Sequence, residues 1–424
     1  MENYSLDEKL ACRKSKIKKS NKVKNILPKS KNYPNPACTD GMKLNEKKKS
    51  ISPRNLNFKN NQKIHFKYLI ILFQIYLFLI LLFPIVTQDT PGEGEGGETP
   101  GEESEPDLRI REPQEIVVKI DNKGIQQNIV NPRFNNRPKY FCDDEELIEE
   151  NNMITIPLGK DTITLKWEYL LEDCKILFSN ISEIIEIHLT NFNTSQVVDM
   201  SNMFEGLELL ETLELGEAFI TSKVKSMEYM FSGCKKMASF DLSKFDTSKV
   251  TNFAFQFQNC KLITFLDLRA FDTSNADFLH YMFKGCQGLA SIDISSFNTN
   301  KVTRFDGMFQ GCVLLTSIDL SNINTTMGTN FQNMFNQCKK LTSLDLSKFN
   351  TANAKDFNYM FKDCSSIEIL DLTSFDTSGV TDFADIFSGL SSMTSINISS
   401  FRTIKGKKMN KMFKSCSKLT SLDV

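Results

Sequence analysis

At 424 residues, 40% of them apolar and 24% charged, the chain has a globular composition and room for two or three domains. A formal net charge of −1 at pH 7 excludes a protein governed throughout by one sign of charge. The average joins two unlike parts: residues 1–67 hold 18 Lys and Arg against 5 Asp and Glu, or +13, which leaves the remainder with 33 against 47, or −14.

The basic part, with clusters such as Arg13-Lys14-Ser15-Lys16-Ile17-Lys18-Lys19 and Lys47-Lys48-Lys49, has too few apolar residues to build a core and is expected to be a disordered cytoplasmic tail. Basic runs also mark nucleic-acid binding or nuclear import. Here the run lies ahead of an apolar segment, which favours a topology signal or contact with anionic lipid, and no nucleic acid is expected as a partner. Residues 68–86 are uncharged and apolar except for Gln74, and as a helix their 19 residues would span about 28 Å, close to the thickness of a bilayer's hydrocarbon. They read as one transmembrane helix, a signal anchor of a single-pass membrane protein with the body extracellular. A cleaved signal peptide is the alternative. The length of the apolar run, the long arm before it and the lack of a small-x-small site near Thr87-Gln88-Asp89 weigh against that.

Residues 87–114 form an acidic linker rich in Gly, Pro and Glu. Gly92 and Gly94 imitate a phosphate loop in spacing only, because no strand precedes them and Glu93, Glu95 and Glu98 would repel phosphate. Residues 115–173 alternate, with Ile116, Val118 and Ile120 on one face and later Ile163, Leu165 and Trp167, and read as an N-terminal cap over the first coil of a repeat array. Cys142 and Cys174 fit either a disulfide or core packing.

Residues 174–424 repeat one pattern about every 26 residues. Its clearest column is Phe178, Phe204, Phe231, Phe257, Phe283, Phe309, Phe335, Phe361, Phe387 and Phe413, with one longer step where residues 215–219 carry an extra position. Three residues on stand Cys234, Cys260, Cys286, Cys312, Cys338, Cys364 and Cys416, replaced in three copies by Ile181, Leu207 and Leu390, so the column is apolar and buried. Leu341-Thr342-Ser343-Leu344-Asp345-Leu346 alternates at the strand period. Val302, Phe305, Met308 and Phe309 recur at intervals of three and four, the helical period. The pattern therefore predicts an α/β repeat solenoid of stacked coils, each with one parallel strand and one short helix.

The phrases Met308-Phe309-Gln310-Gly311-Cys312, residues 341–351 and Phe245-Asp246-Thr247-Ser248-Lys249-Val250 resemble the repeats of BspA-like leucine-rich-repeat surface proteins. Against ordinary leucine-rich repeats, Phe349 stands near the usual asparagine-ladder position. The resemblance implies exposure on a microbial surface, where some members bind host or matrix proteins.

Chemistry is sparse. The repeat cysteines lack histidine companions and close Cys-x-x-Cys pairs, so a buried thiol ladder is favoured over disulfides or metal, and no cofactor is expected. Of three histidines, His65, His188 and His280, none belongs to a nucleophilic constellation, and no enzyme is expected. The outward column between the strand apolars is His188, Glu214, Asp241, Asp267, Asp293, Asp319, Asp345, Asp371, Asn397 and Asp423. One reading is structural, with neighbours such as Ser291, Ser295, Ser317, Ser321, Ser343 and Ser347 donating to the carboxylates. The other is a ligand-binding face of Asp241, Asp267, Asp293, Asp319, Asp345, Asp371 and Asp423 that receives a basic protein segment or cations. Asn180, Asn193, Asn324 and Asn397 are candidate glycosylation sites.

The sequence thus reads as a membrane-anchored surface protein whose solenoid binds an extracellular or surface protein in adhesion or recognition. The alternative is a self-associating surface-coat protein without a specific ligand. The ending at Val424 inside a strand, with no cap, leaves either a truncated coding sequence or an edge covered by another copy or a partner.

Overall fold

A computed structural model describes residues 109–122 and 126–424. The basic tail, the apolar segment 68–86 and the linker as far as residue 108 lie outside the described residues. The chain enters through β1 (Arg109–Ile120), β2 (Gln126–Gln127), β3 (Lys139–Cys142), β4 (Glu145–Leu147), β5 (Glu149–Glu150), β6 (Met153–Thr155) and β7 (Thr162–Tyr169). The first coils carry β8 (Ile184–Asn191) and β9 (Thr212–Leu215), and the last two carry β10 (Ser395–Asn397) and β11 (Ser421–Asp423). One six-stranded sheet runs β4-β3-β7-β1-β8-β9. In it β1 pairs antiparallel with β8, so the edge of the first coil is occupied by the preceding region. Ile116, Val118, Ile163, Leu165 and Trp167 all point into the core, as their alternation requires.

The expected fold class is corrected on its helices. Among the described residues there is no helix in any repeat, and none long and apolar enough to cross a membrane. The transmembrane helix in that expectation therefore gains no support, since residues 68–86 are not described. A run of tight turns stands at the helical period instead. Met308 N–H bonds to Phe305 O, Gln310 N–H to Gly307 O and Cys312 N–H to Phe309 O, each three residues back. The intervening amides, of Phe305, Gly307, Phe309 and Gly311, donate to Asn330, Gln332, Met334 and Asn336 of the next coil at 2.7–2.9 Å. A helix would direct all of them to its own carbonyls. The backbone is turned outward by left-handed residues two before and two after the column Phe, for example Gly307 (φ 59°) and Gly311 (φ 74°) around Phe309. Turns closed over three residues space their inward side chains as a helix does, and the periodicity alone does not separate the two.

The expected strand per repeat is also corrected. The parallel pairs β8–β9 and β10–β11 form at the two ends of the stack. Between them the Leu-Asp-Leu segments are joined by one parallel bridge, Asp371 to Asn397, and by single bonds such as Ala290 N to Thr264 O and Thr342 N to Thr316 O. The continuous ladder lies on the turn edge, where parallel bridges link Asp173 through Asp199, Ser226, Asn252 and onward to Lys408. The result is a β-rich repeat stack.

Three side-chain ladders fill it. The column rings from Phe178 to Phe413 stack face on face at 5.4–6.3 Å. Each thiol from Cys234 to Cys416 donates to the carbonyl of the column Phe one coil back, at 2.9–3.2 Å. Burial pushes the Cys286 thiol up to about 12, so it stays protonated and able to donate. Buried threonines tie the third edge: Thr273 Oγ1 donates to Asn298 O at 3.0 Å and accepts from Asn298 N–H at 2.7 Å, and Thr247 and Thr325 make the same pair of bonds to their next coils. The row of Thr247, Thr273, Thr299, Thr325 and Thr351 stands two residues beyond Phe245, Phe271, Phe297, Ile323 and Phe349, and it takes the place of an asparagine ladder.

One residue breaks the core. Gln256 sits where other coils place Met203, Met230, Met282 and Met308, is 0% exposed, and has no hydrogen-bond partner for Oε1 among the described residues. An unsatisfied buried acceptor costs about 1–3 kcal/mol, so Gln256→Met should raise stability by about that amount in chemical denaturation.

Candidate binding face

The seven candidate aspartates, Asp241, Asp267, Asp293, Asp319, Asp345, Asp371 and Asp423, are all exposed, and the first six follow one another coil by coil. Each of those six closes a small turn with its own coil, its Oδ1 accepting the N–H of the residue two ahead: Ser243, Arg269, Ser295, Ser321, Ser347 and Thr373, at 2.9–3.2 Å. Asn397 does the same with Ser399. At Ser243 and Thr373 the hydroxyl donates to the same Oδ1 as well, at 2.6 and 2.8 Å. These bonds hold Asp241, Asp293, Asp319, Asp345 and Asp371 below the usual carboxylate range. Asp267 is lowered to about 2, chiefly by the Arg269 guanidinium, which meets its carboxylate at 2.9 and 2.5 Å. The row therefore stays ionised to low pH, as a line of fixed negative charge across the stack.

Two hollows open among the described residues, and the first is lined by two members of the row. One of about 390 Å³ opens between neighbouring coils and is lined by Phe240, Asp241, Leu242, Ser243, Asp267, Arg269 and Ala270. The other, about 570 Å³, lies where β1 and the first coils meet, among Pro113, Gln114, Glu115, Leu170, Thr190, Asn191, Asn193, Glu217 and Ala218. On the segment leading into Asp267, which lines the first hollow, Leu262 and Phe265 are 54% and 52% exposed. The signal for this apolar spot is in the columns, because Phe265 and Arg269 occupy positions held by serine in most coils, yet it emerges only once exposure is known.

The candidate glycosylation residues scatter. Asn180 is exposed in a left-handed turn (φ 61°), Asn193 is half-buried in the larger hollow, and Asn324 and Asn397 are exposed. Each of Asn193, Asn324 and Asn397 accepts a backbone N–H two residues ahead.

The opposite, turn edge carries its own cluster. Tyr229, Phe255 and Tyr281 stack at 4.3 and 4.9 Å although each is left-handed, with φ of 56°, 59° and 56°. The stack ends on Gly307, where a Cβ would lie 2.1 Å from the Tyr281 ring, so glycine leaves the space that the ring occupies. His280 is buried against the edges of Phe255, Phe278 and Tyr281, and burial followed by the Arg304 charge lowers its pKa. Arg304 is held by two bonds to buried Asp306, at 2.9 and 2.8 Å. The rings cover one another and the charges are paired, which gives this edge a structural role.

No curated protein matches the chain. A crystal structure of a leucine-rich repeat protein from Bacteroides ovatus ATCC 8483 is similar at 17% identity, over 63% of this chain and 81% of that one, with a TM-score of 0.29. A family model described as a Mycoplasma protein of unknown function, DUF285, matches residues 172–292, 256–370 and 345–423. These stretches coincide with the repeats that carry the BspA-like resemblance and span more than half of the sequence, and the chain accordingly belongs to the DUF285 family.

Proposed function

We propose that this chain is a surface repeat protein that binds macromolecular partners through its Leu-Asp-Leu face. The observation that carries the reading is the division of labour between the two edges of each coil. Pairing between coils runs along the turn edge, while the other edge presents an ionised, hydroxyl-flanked aspartate in coil after coil. A row of like charges on neighbouring chains is unfavourable in isolation. A basic protein surface would relieve that repulsion and gain from it, with faster encounter as a further result.

The test is Asp293→Asn, Asp319→Asn and Asp345→Asn combined in the full chain. Asparagine keeps the Oδ1 that closes each turn, so stability should change by less than about 0.5 kcal/mol for each exposed substitution. Surface proteins captured from cell extract by the native chain should be lost by this variant. Undiminished capture would remove the aspartate row from the binding surface.

A further inference from the structure

We propose that Leu262, Phe265 and the hollow that Asp267 lines form the anchor of this face, and that the occupant is an extended basic segment of a partner protein in which apolar residues alternate with lysines. The inference rests on the binding reading above and says where along the stack the partner is gripped.

The repetition of the face makes departures visible. Where coils before and after carry Ser239, Ser291 and Ser317, this one carries Phe265, and where they carry Ser243 and Ser295 it carries Arg269. Ile369, 71% exposed, is a second apolar departure in the Phe265 column, without an arginine in the Arg269 column of its coil. Leu262 stands in a column that holds Lys236 and Gly288 on either side. None of the three is needed by the core, since Leu262 and Phe265 are more than half exposed and the Arg269 side chain is 74% exposed. Phe265 and Asp267 are exposed while Leu266 and Leu268 between and beyond are buried, so the first two face outward together. An apolar spot thus leads into Asp267, which with Asp241, Ser243 and Phe240 lines an opening of about 390 Å³. Apolar centre and polar rim is the anatomy of a protein interface, and aromatic residues in such centres carry a disproportionate share of affinity.

Charge decides the class of occupant. The hollow is lined by the carboxylates of Asp241 and Asp267, and the row continues with Asp293 and Asp319. The hydrogen bonds that Asp241 receives from Ser243 both go to Oδ1. A lysine ammonium can approach Asp241 from the hollow while its aliphatic stem lies along Phe240. A neighbouring leucine then covers Phe265 and Leu262. Arg269 already neutralises Asp267, and it sets the limit on how strongly a second cation is drawn in.

The experiment uses the folded full chain and two synthetic peptides, one alternating lysine with leucine and one alternating glutamate with leucine. The lysine peptide should bind, and Phe265→Ser should weaken it by about tenfold or more, the scale of one interface anchor. Leu262→Ser should weaken it in the same direction and serves as the second probe, because serine is native to that column at Ser366 and Ser392. Arg269→Ser, which frees the Asp267 carboxylate, should tighten it. Binding unchanged by both Phe265→Ser and Leu262→Ser, or equal binding of the glutamate peptide, overturns the proposal. If the triple asparagine variant loses the lysine peptide while these two do not, the anchor is wrong and the aspartate face stands. If none of the variants loses it, both fall.

Discussion

Replacing Phe309 by alanine should lower stability by about 3–5 kcal/mol, the range for removing a buried aromatic ring from a packed core. Phe309 is fully buried and lies between Phe283 at 5.6 Å and Phe335 at 5.8 Å, with interplanar angles of 13° and 8°. Its removal leaves a gap in the middle of a continuous ring stack, where both neighbours lose a face at once. Coils of a repeat protein contact their neighbours alone, so the loss should also reduce cooperativity and split the unfolding transition. Chemical denaturation of the full chain reads both effects. A loss below about 1 kcal/mol would mean that the gap closes or that the ring column is not the core.

Thr273→Val is the second large effect. Valine keeps the shape but removes the hydroxyl that donates to Asn298 O and accepts from Asn298 N–H. Two backbone groups lose their partner in one substitution. At about 1–3 kcal/mol for each buried group left unsatisfied, the variant should be destabilised well beyond an ordinary conservative change, and Thr273→Ser should recover most of the loss. Equal stability of the valine and native proteins would show that water satisfies Asn298 and that the threonine row is not a ladder.

Much of this fold is legible in the sequence because it is written as columns. A Phe every 26 residues has to be one stacked row, and the apolar substitutes Ile181, Leu207 and Leu390 by themselves identify the cysteine column as buried. The helix is misread from sequence for a physical reason. Val302, Phe305, Met308 and Phe309 face inward at steps of three and four whether the chain turns by helix or by successive tight turns. The distinguishing signal is the glycine or asparagine two residues after the Phe, at Gly206, Gly233, Asn259, Gly285 and Gly311, where left-handed backbone ends a helix. It is obscured at Tyr229, Phe255 and Tyr281, because aromatic residues seldom adopt that conformation and do so here within a ring stack. The aspartate column is legible as outward-facing. Sequence assigns its stabilising partners to hydroxyl donors, whereas the backbone N–H two residues ahead is a regular donor and is not coded by side-chain identity, as Arg269 shows.

The coils are joined along the turn edge, and this leaves the Leu-Asp-Leu edge free to display. Native-state amide hydrogen exchange on the full chain measures that division residue by residue. The amides of Phe283, Phe309 and Phe335, each bonded to the next coil at 2.9–3.0 Å, should exchange slowly, and those of Asp293, Asp319 and Asp345 should exchange orders of magnitude faster. Strong protection of the aspartate amides with rapid exchange at the phenylalanines would contradict it, since the face proposed for binding would then be the one that holds the stack together.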